Sequence, residues 1–252
     1  MLSKKIITLK ISTESYNHIL NEIINLAQNR IPSYVCFANV HMTIEAYLDN
    51  HFKNQVNAAS FVTADGVPLK IATKLLYGVH QDRVAGMDMM PSVISECEKN
   101  NLSVAFYGSS TETLNAIKNR IQIQHPLLRI ACQIIPPFKE LTIQEKKTYI
   151  DQINNSDANV VFVCLGCPKQ EKWMAENSKH IKSILLGVGG AFGIYANEKK
   201  RAPAWMRAIA LEWVFRLFQE PRRMFKRYFI TNNLFIFLII KEWFKIKILK
   251  KI

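Results

Sequence analysis

Residues 159–173 read Asn159-Val160-Val161-Phe162-Val163-Cys164-Leu165-Gly166-Cys167-Pro168-Lys169-Gln170-Glu171-Lys172-Trp173. The uncharged run up to Leu165, rich in β-branched and aromatic residues, suits a strand buried on both faces. Gly166 breaks it, and Pro168 stands where a helix begins, with Lys169, Gln170 and Glu171 crowded into the first turn. Packing alone does not require such polar density where a buried strand leaves its sheet.

The same alternation extends outward in both directions. Apolar runs of strand length recur at 6–11, 34–38, 60–64, 102–107, 128–134 and 184–188. Between most of them lie amphipathic stretches of helical period, at 16–29, 67–77, 87–99, 111–124, 143–154 and 170–180. Strands alternating with helices predict an α/β fold, Rossmann-like and doubly wound, with a mostly parallel sheet covered on both faces. Ligands of such sheets bind beyond the carboxyl ends of the strands. The residues to read are therefore Asn39 and His41, Asp65 and Gly66, Gly108 to Ser110, Gly166 to Glu171, and Gly187 to Gly193.

The chain has 252 residues, 49% of them apolar, and a net charge of +13. Such apolarity excludes a disordered chain, and 9 Gly with 9 Pro exclude collagen-like or linker composition. The charge is uneven: residues 199–252 hold 14 basic and 3 acidic residues, so a nearly neutral body (1–198) carries a cationic helical appendage (199–252). Within that appendage Leu234-Phe235-Ile236-Phe237-Leu238-Ile239-Ile240 is too short to span a bilayer, which needs about 20 apolar residues. With the lysines that follow, it reads as an amphipathic helix on an anionic membrane surface. The other reading is a terminal helix packed on the body or on another subunit. A cationic chain can also bind nucleic acid, but no nucleic-acid motif is present and the charge is mixed with lipid-seeking side chains, so no nucleic-acid partner is expected. The N-terminus lacks an apolar run of signal-peptide length, which predicts a cytoplasmic protein. Five cysteines, an odd number mostly in apolar surroundings, read as reduced packing thiols, Cys164-x-x-Cys167 included, because no second ligand pair accompanies it.

Three groups of residues suggest chemistry. Gly108-Ser109 and Gly187-Val188-Gly189-Gly190 put small residues at strand exits, where backbone amides can approach a diphosphate. Asp65, in Ala64-Asp65-Gly66-Val67-Pro68, is either a helix N-cap or a general base in a partly dry cleft. Arg83 precedes a glycine turn and an Asp88 suited to capping the next helix; it can clamp phosphate or form a salt bridge. The chain contains no Asp-x-Asp pair, with which many nucleotide-sugar enzymes hold a divalent ion.

These motifs, with Phe37-Ala38-Asn39, Lys200-Arg201-Ala202-Pro203, Leu211-Glu212-Trp213 and Glu220-Pro221-Arg222-Arg223, occur in an order that resembles the WecG/TagA/CpsF glycosyltransferase family across nearly the whole chain. The resemblance implies transfer of a hexose or N-acetylhexosamine, as in N-acetylmannosaminyltransferases, from a UDP-sugar donor to a polyprenyl-diphosphate-linked sugar. It implies inversion at the anomeric carbon, no cofactor, no metal, and peripheral attachment to the inner face of the cytoplasmic membrane, with homo-oligomers also suggested. Asp65 then corresponds to the base, and Arg83 and Gln170 to further catalytic residues. Asn39, Gly108, Ser109, Gly166, Lys169, Glu171, Gly187, Gly189 and Gly190 fall to substrate binding. Arg207, Arg216, Arg222, Arg223 and Arg227 fall to the lipid diphosphate or the membrane. Phe37 and Gly193 depart from the threonine and acidic residue of many members, which leaves the donor sugar open. The rival of another class is a non-catalytic binding or scaffold protein of the same fold, which would tolerate loss of Asp65.

Overall fold

In a computed structural model, the structure describes residues 2–137, 139–209 and 211–248, the side chains of 208, 223, 226, 227 and 248 excepted. A two-stranded antiparallel hairpin, β1 (Ser3–Ile6) and β2 (Leu9–Ser12), precedes the main sheet. The sheet strands are β3 (Ser33–Ala38), β4 (Phe61–Ala64), β5 (Val104–Gly108), β6 (Ile130–Ile134), β7 (Val160–Cys164) and β8 (Ile184–Gly187). They lie in the order β4-β3-β8-β7-β5-β6, and every pairing is parallel. All carboxyl ends therefore reach one edge, as the predicted α/β architecture requires. The helices in chain order are α1 (Tyr16–Gln28), α2 (Val40–Leu48), α3 (Asn50–Asn57), α4 (Val67–Tyr77), α5 (Gly86–Lys99), α6 (Thr111–Gln124), α7 (Ile143–Asn155), α8 (Lys169–Asn177), α9 (Ala191–Tyr195), α10 (Ala204–Ala208), α11 (Glu212–Gln219) and α12 (Pro221–Ile248).

Successive strand side chains point to opposite faces, and this divides the interior into two cores. Val35, Phe37, Val104, Phe106, Val160 and Phe162 meet α1, α5, α6 and α9. Tyr34, Cys36, Ala38, Ala105, Val161 and Val163 face the other way, into a core shared by α2, α3, α4, α8, α12 and the hairpin. The run 6–11, expected as one strand, instead reverses at Ile7, whose φ of 58° turns the chain so that Ile6 pairs with Leu9.

The appendage ends on the body. In α12, Phe235, Leu238 and Ile239 are buried in the second core, whereas Ile236, Phe237 and Ile240 are exposed. A helix turns 100° per residue, so seven consecutive apolar side chains cannot share one lipid-facing side. Glu242 fastens the far end, its Oε2 accepting the Ile7 N–H at 3.1 Å. Among the described residues no helix is long and apolar enough to cross a membrane.

If α12 is part of the folded body, Leu238→Ala should cost about 2–4 kcal/mol of stability, the range for emptying a buried leucine site. Phe237→Ala, at an exposed position, should stay within about 0.5 kcal/mol. Urea denaturation of both variants measures the difference.

Candidate active site

The site begins at the open edge of β4. Past the strand's end, the Val84 N–H donates to Ala64 O at 3.0 Å and Thr63 Oγ1 donates to Val84 O at 2.8 Å, which lays the segment carrying Arg83 alongside the strand exit. The Asp65 N–H donates to Ala38 O at 2.9 Å, tying the exits of β3 and β4 together. Arg83 then distributes its donors: Nε to the Asp65 carbonyl at 2.7 Å, Nη1 to Asp88 Oδ2 at 3.3 Å, and Nη2 to Glu212 Oε2 at 3.0 Å. Asp65 Oδ1 lies 3.9 Å from Nη2. Asp88 also pairs with Arg201 at 2.6 Å, and Glu212 Oε1 lies 3.5 Å from Arg216 Nη2. Three arginines and three carboxylates thus join β4, α5 and the helices after residue 199.

Two helix-cap expectations do not hold. The N-cap of α4 is Gly66, without a side-chain cap bond, so the Asp65 carboxylate is free of capping duty. Asp88 sits within the first turn of α5, whose N-cap is Ala85. Asn39 does cap: its Oδ1 accepts the Met42 N–H at 3.1 Å.

A cavity of about 620 Å³ opens over this network. Asn39, His41, Asp65, Arg83, Glu212, Trp213 and Arg216 form its polar end, while α4 and α12 supply apolar walls. Burial in this cleft pushes the Asp65 carboxyl up to about 6; Arg83 and Arg216 pull it down, and Glu212 and Asp88 push it further up. A carboxylate with raised proton affinity facing a cavity can accept a proton from a bound hydroxyl near neutral pH.

Gln170 is absent from the residues lining this cavity. It is buried two strands away, at the exit of β8, where its Nε2 donates to Gly187 O at 2.8 Å and to Glu171 Oε1 at 2.7 Å. These two acceptors fix the amide's orientation, and Gln170 Oε1 has no hydrogen-bond partner among the described residues. Gly189, at φ +48°, passes so close that a Cβ there would lie 3.1 Å from that oxygen. Gly108, at φ +102°, is fixed similarly by Cys164, whose carbonyl a Cβ would strike; Ser109 beside it donates its N–H to Cys164 O at 3.2 Å. Gly166, Lys169 and Gly190 are exposed along the same edge, and Gly187 is buried against Gln170 and Met174. Glu171 is fully buried, and desolvation lifts its carboxyl to about 7 against hydrogen bonds from Gln170, its own backbone and Cys167.

Of the tail arginines, Arg216 reaches the cavity. Arg207 is half-buried and Arg222 exposed, while the side chains of Arg223 and Arg227 lie outside the described residues. Phe37 is buried against the position of Gly86, in the opposite core from the cavity, and Gly193 lies beside the stem of Lys199. Sequence reasoning quoted Glu212 and Trp213 within a motif but gave them no place in the site. One signal was available: Glu212 is one of 3 acids among 14 bases, and it stands four residues before Arg216.

A model of the glycosyl transferase WecG/TagA/CpsF family matches residues 4–248. The chain belongs to that family. A relative in Bacillus subtilis (strain 168), named N-acetylglucosaminyldiphosphoundecaprenol N-acetyl-beta-D-mannosaminyltransferase, is 26% identical over 196 residues, covering 77% of this chain and 74% of its own. Proteins of the same name in Bacillus spizizenii (strain W23) and Staphylococcus aureus (strain MW2) are 27% and 28% identical, covering 79% and 85% of this chain and 75% and 79% of theirs. As a WecG/TagA/CpsF member the chain is a glycosyltransferase; open parallel sheets in general bind ligands beyond their strands' carboxyl ends, the edge on which Asp65, Asn39 and the glycine turns lie.

The buried Glu171 makes a prediction about folding in this family member. Its carboxyl titrates near 7 when folded and in the ordinary carboxylate range when unfolded, so the folded state holds the extra proton between those values and stability falls as pH rises through them. Glu171→Gln removes that titration. Its stability relative to the natural protein should rise from pH 5 to pH 8, as measured by urea midpoints at both; equal differences would refute the assignment.

Proposed function

We propose that the protein transfers a sugar from a UDP-sugar to the sugar of a polyprenyl-diphosphate lipid by single displacement with inversion, in the synthesis of a bacterial cell-surface polymer. The supporting observation is Asp65, a carboxylate of raised proton affinity without capping duty, beside Arg83 in a cavity at the strand exits. The relatives' names supply the substrate classes: their acceptor is an N-acetylglucosaminyl diphospholipid and their sugar is N-acetylmannosamine.

The donor nucleotide lies along the sheet edge, its diphosphate against the backbone amides of the glycine turns and its sugar toward β3 and β4. From β4 to β5 the edge spans four strand spacings, roughly 19 Å, enough for an extended nucleotide sugar. Gln170 holds Gly187 in place behind those turns, its Nε2 donating to Gly187 O at 2.8 Å. In the reaction, the acceptor hydroxyl loses its proton to Asp65 as its oxygen bonds to the anomeric carbon. The bond from that carbon to the diphosphate oxygen breaks, and UDP departs with the electron pair. Arg83 meets the developing charge, which a fixed cation does at little reorganisation cost. Glu212 pairs with Arg83 at 3.0 Å and with Arg216 at 3.5 Å, and substrate phosphates compete with it for both.

The acceptor lies in a membrane, and α10 to α12 carry the features for reaching one. Trp205, Phe218, Phe225, Phe229 and Phe237 are exposed among the bases of residues 199–252. Peripheral attachment at the cytoplasmic face follows from aromatic insertion combined with attraction to anionic head groups.

The deciding assay incubates the protein with a panel of UDP-sugars, N-acetylmannosamine first, and lipid-diphosphate-linked N-acetylglucosamine in EDTA, following UDP release and product mass. A disaccharide lipid is expected from one donor. Its rate should climb with pH through about 6, as Asp65 loses its proton, and then level. Asp65→Asn should lose roughly 10²-fold or more and the pH limb with it; an unchanged rate would remove Asp65 from the role of base. Anionic vesicles should sediment the protein, and salt should weaken this without abolishing it, whereas complete release by salt would leave the exposed aromatics no part in attachment.

A further inference from the structure

The cavity has a second half that the transfer step does not use. From Gly66, α4 leads Pro68, Ile71 and Leu75 along one wall; opposite, α12 presents Asn232, Ile236 and Ile240. Each set keeps the spacing of three or four residues of a single helix face. Both stripes run the same way. At the polar end Trp213 meets Tyr228 of α12 edge to face, with ring centroids 5.8 Å apart. At the other end Tyr77, the last residue of α4, donates its hydroxyl to Lys5 O at 2.6 Å, and Glu242 of α12 accepts the Ile7 N–H at 3.1 Å. Both helices therefore lead from the arginine network to the β1–β2 hairpin. At the helical rise, Gly66 to Leu75 covers roughly 13 Å.

Apart from Asn232 and Asn233 the two walls are apolar. Ile71, Leu75, Ile236 and Ile240 are 56%, 45%, 55% and 49% exposed, beside the buried Ala72, Phe235 and Ile239. Large aliphatic side chains left wet along a groove are worth covering at about 25 cal/mol per Å². The groove's one polar end carries Arg83 and Arg216. A ligand matching both ends is an amphiphile with a diphosphate joined directly to a branched hydrocarbon chain.

We propose that the groove between α4 and α12 holds the first isoprene units of the lipid-linked acceptor, drawn out of the bilayer, with its diphosphate at Arg216. This rests on the acceptor class proposed above and adds where its hydrocarbon lies. The bilayer itself has a separate surface to meet: Phe229, Phe237 and Phe244 are exposed, and none of them lines the cavity.

The test is equilibrium binding to the full chain, followed by tryptophan fluorescence, of inorganic pyrophosphate, geranyl diphosphate and farnesyl diphosphate below their micelle concentrations. Affinity is expected to rise with each isoprene unit, farnesyl diphosphate binding about tenfold or more tighter than pyrophosphate. Leu75→Gln combined with Ile236→Gln should erase most of that gain and spare pyrophosphate binding; both positions are half exposed, and a melting curve checks the fold. Phe237→Gln should weaken vesicle binding and leave the farnesyl gain intact. The proposal is overturned if farnesyl diphosphate binds no tighter than pyrophosphate. It is equally overturned if the double variant keeps the gain, or if Phe237→Gln abolishes it, since the chain then lies on the outer surface. A farnesyl gain lost in the double variant, in a protein that transfers no sugar, upholds the groove and sinks the transferase reading.

Discussion

Arg83 is the interaction on which the arrangement turns. A guanidinium with little solvent exposure must find acceptors for its donors, and it takes them from three sources: the Asp65 carbonyl at the exit of β4, Asp88 at the start of α5, and Glu212 at the start of α11. One cation thereby ties together the chain at Asp65, the start of the next helix and the docked appendage. Removing it would leave Asp65 without its nearest cation and Asp88 and Glu212 with Arg201 and Arg216 alone, a cost above that of a surface pair. The proposed function rests on the same fact, because a diphosphate can compete with carboxylates for the guanidinium they hold.

Much of the fold was legible because a buried parallel strand has an unmistakable composition. The runs at 34–38, 60–64, 102–107, 128–134, 159–165 and 184–188 all fall on sheet strands, and their alternation with amphipathic stretches specified the doubly wound arrangement. The hairpin was misread because no Gly, Pro or Asn marks its turn; Ile7 itself adopts the left-handed conformation. The helices α2 and α3 drew no attention because their polar surface breaks the apolar pattern between β3 and β4. At the site, strand exits identified Asp65, Asn39 and the glycine turns. Glu212 escaped because its partner, Arg83, is 129 residues away, and nothing in the local sequence reports such a distance.

The C-terminal segment was the hardest to read, since charge and apolarity rise together both in membrane-seeking helices and in helices that pack by one face. Only the contacts decide which side chains go inward. Phe235, Leu238 and Ile239 complete a core begun by β3 and α4, and their neighbours one residue away remain outside. A single helix thus serves the interior, the cavity wall and the outer surface on three sides of its circumference.

The order of synthesis gives the cavity a further consequence. Its lining runs from Asn39 to Ile240, so the first and last parts of the site leave the ribosome some two hundred residues apart. A chain that stops between Gly190 and α12 has Asp65 and the glycine turns but lacks a wall of the pocket. The pocket is therefore complete only once α12 has been made and has packed on the body.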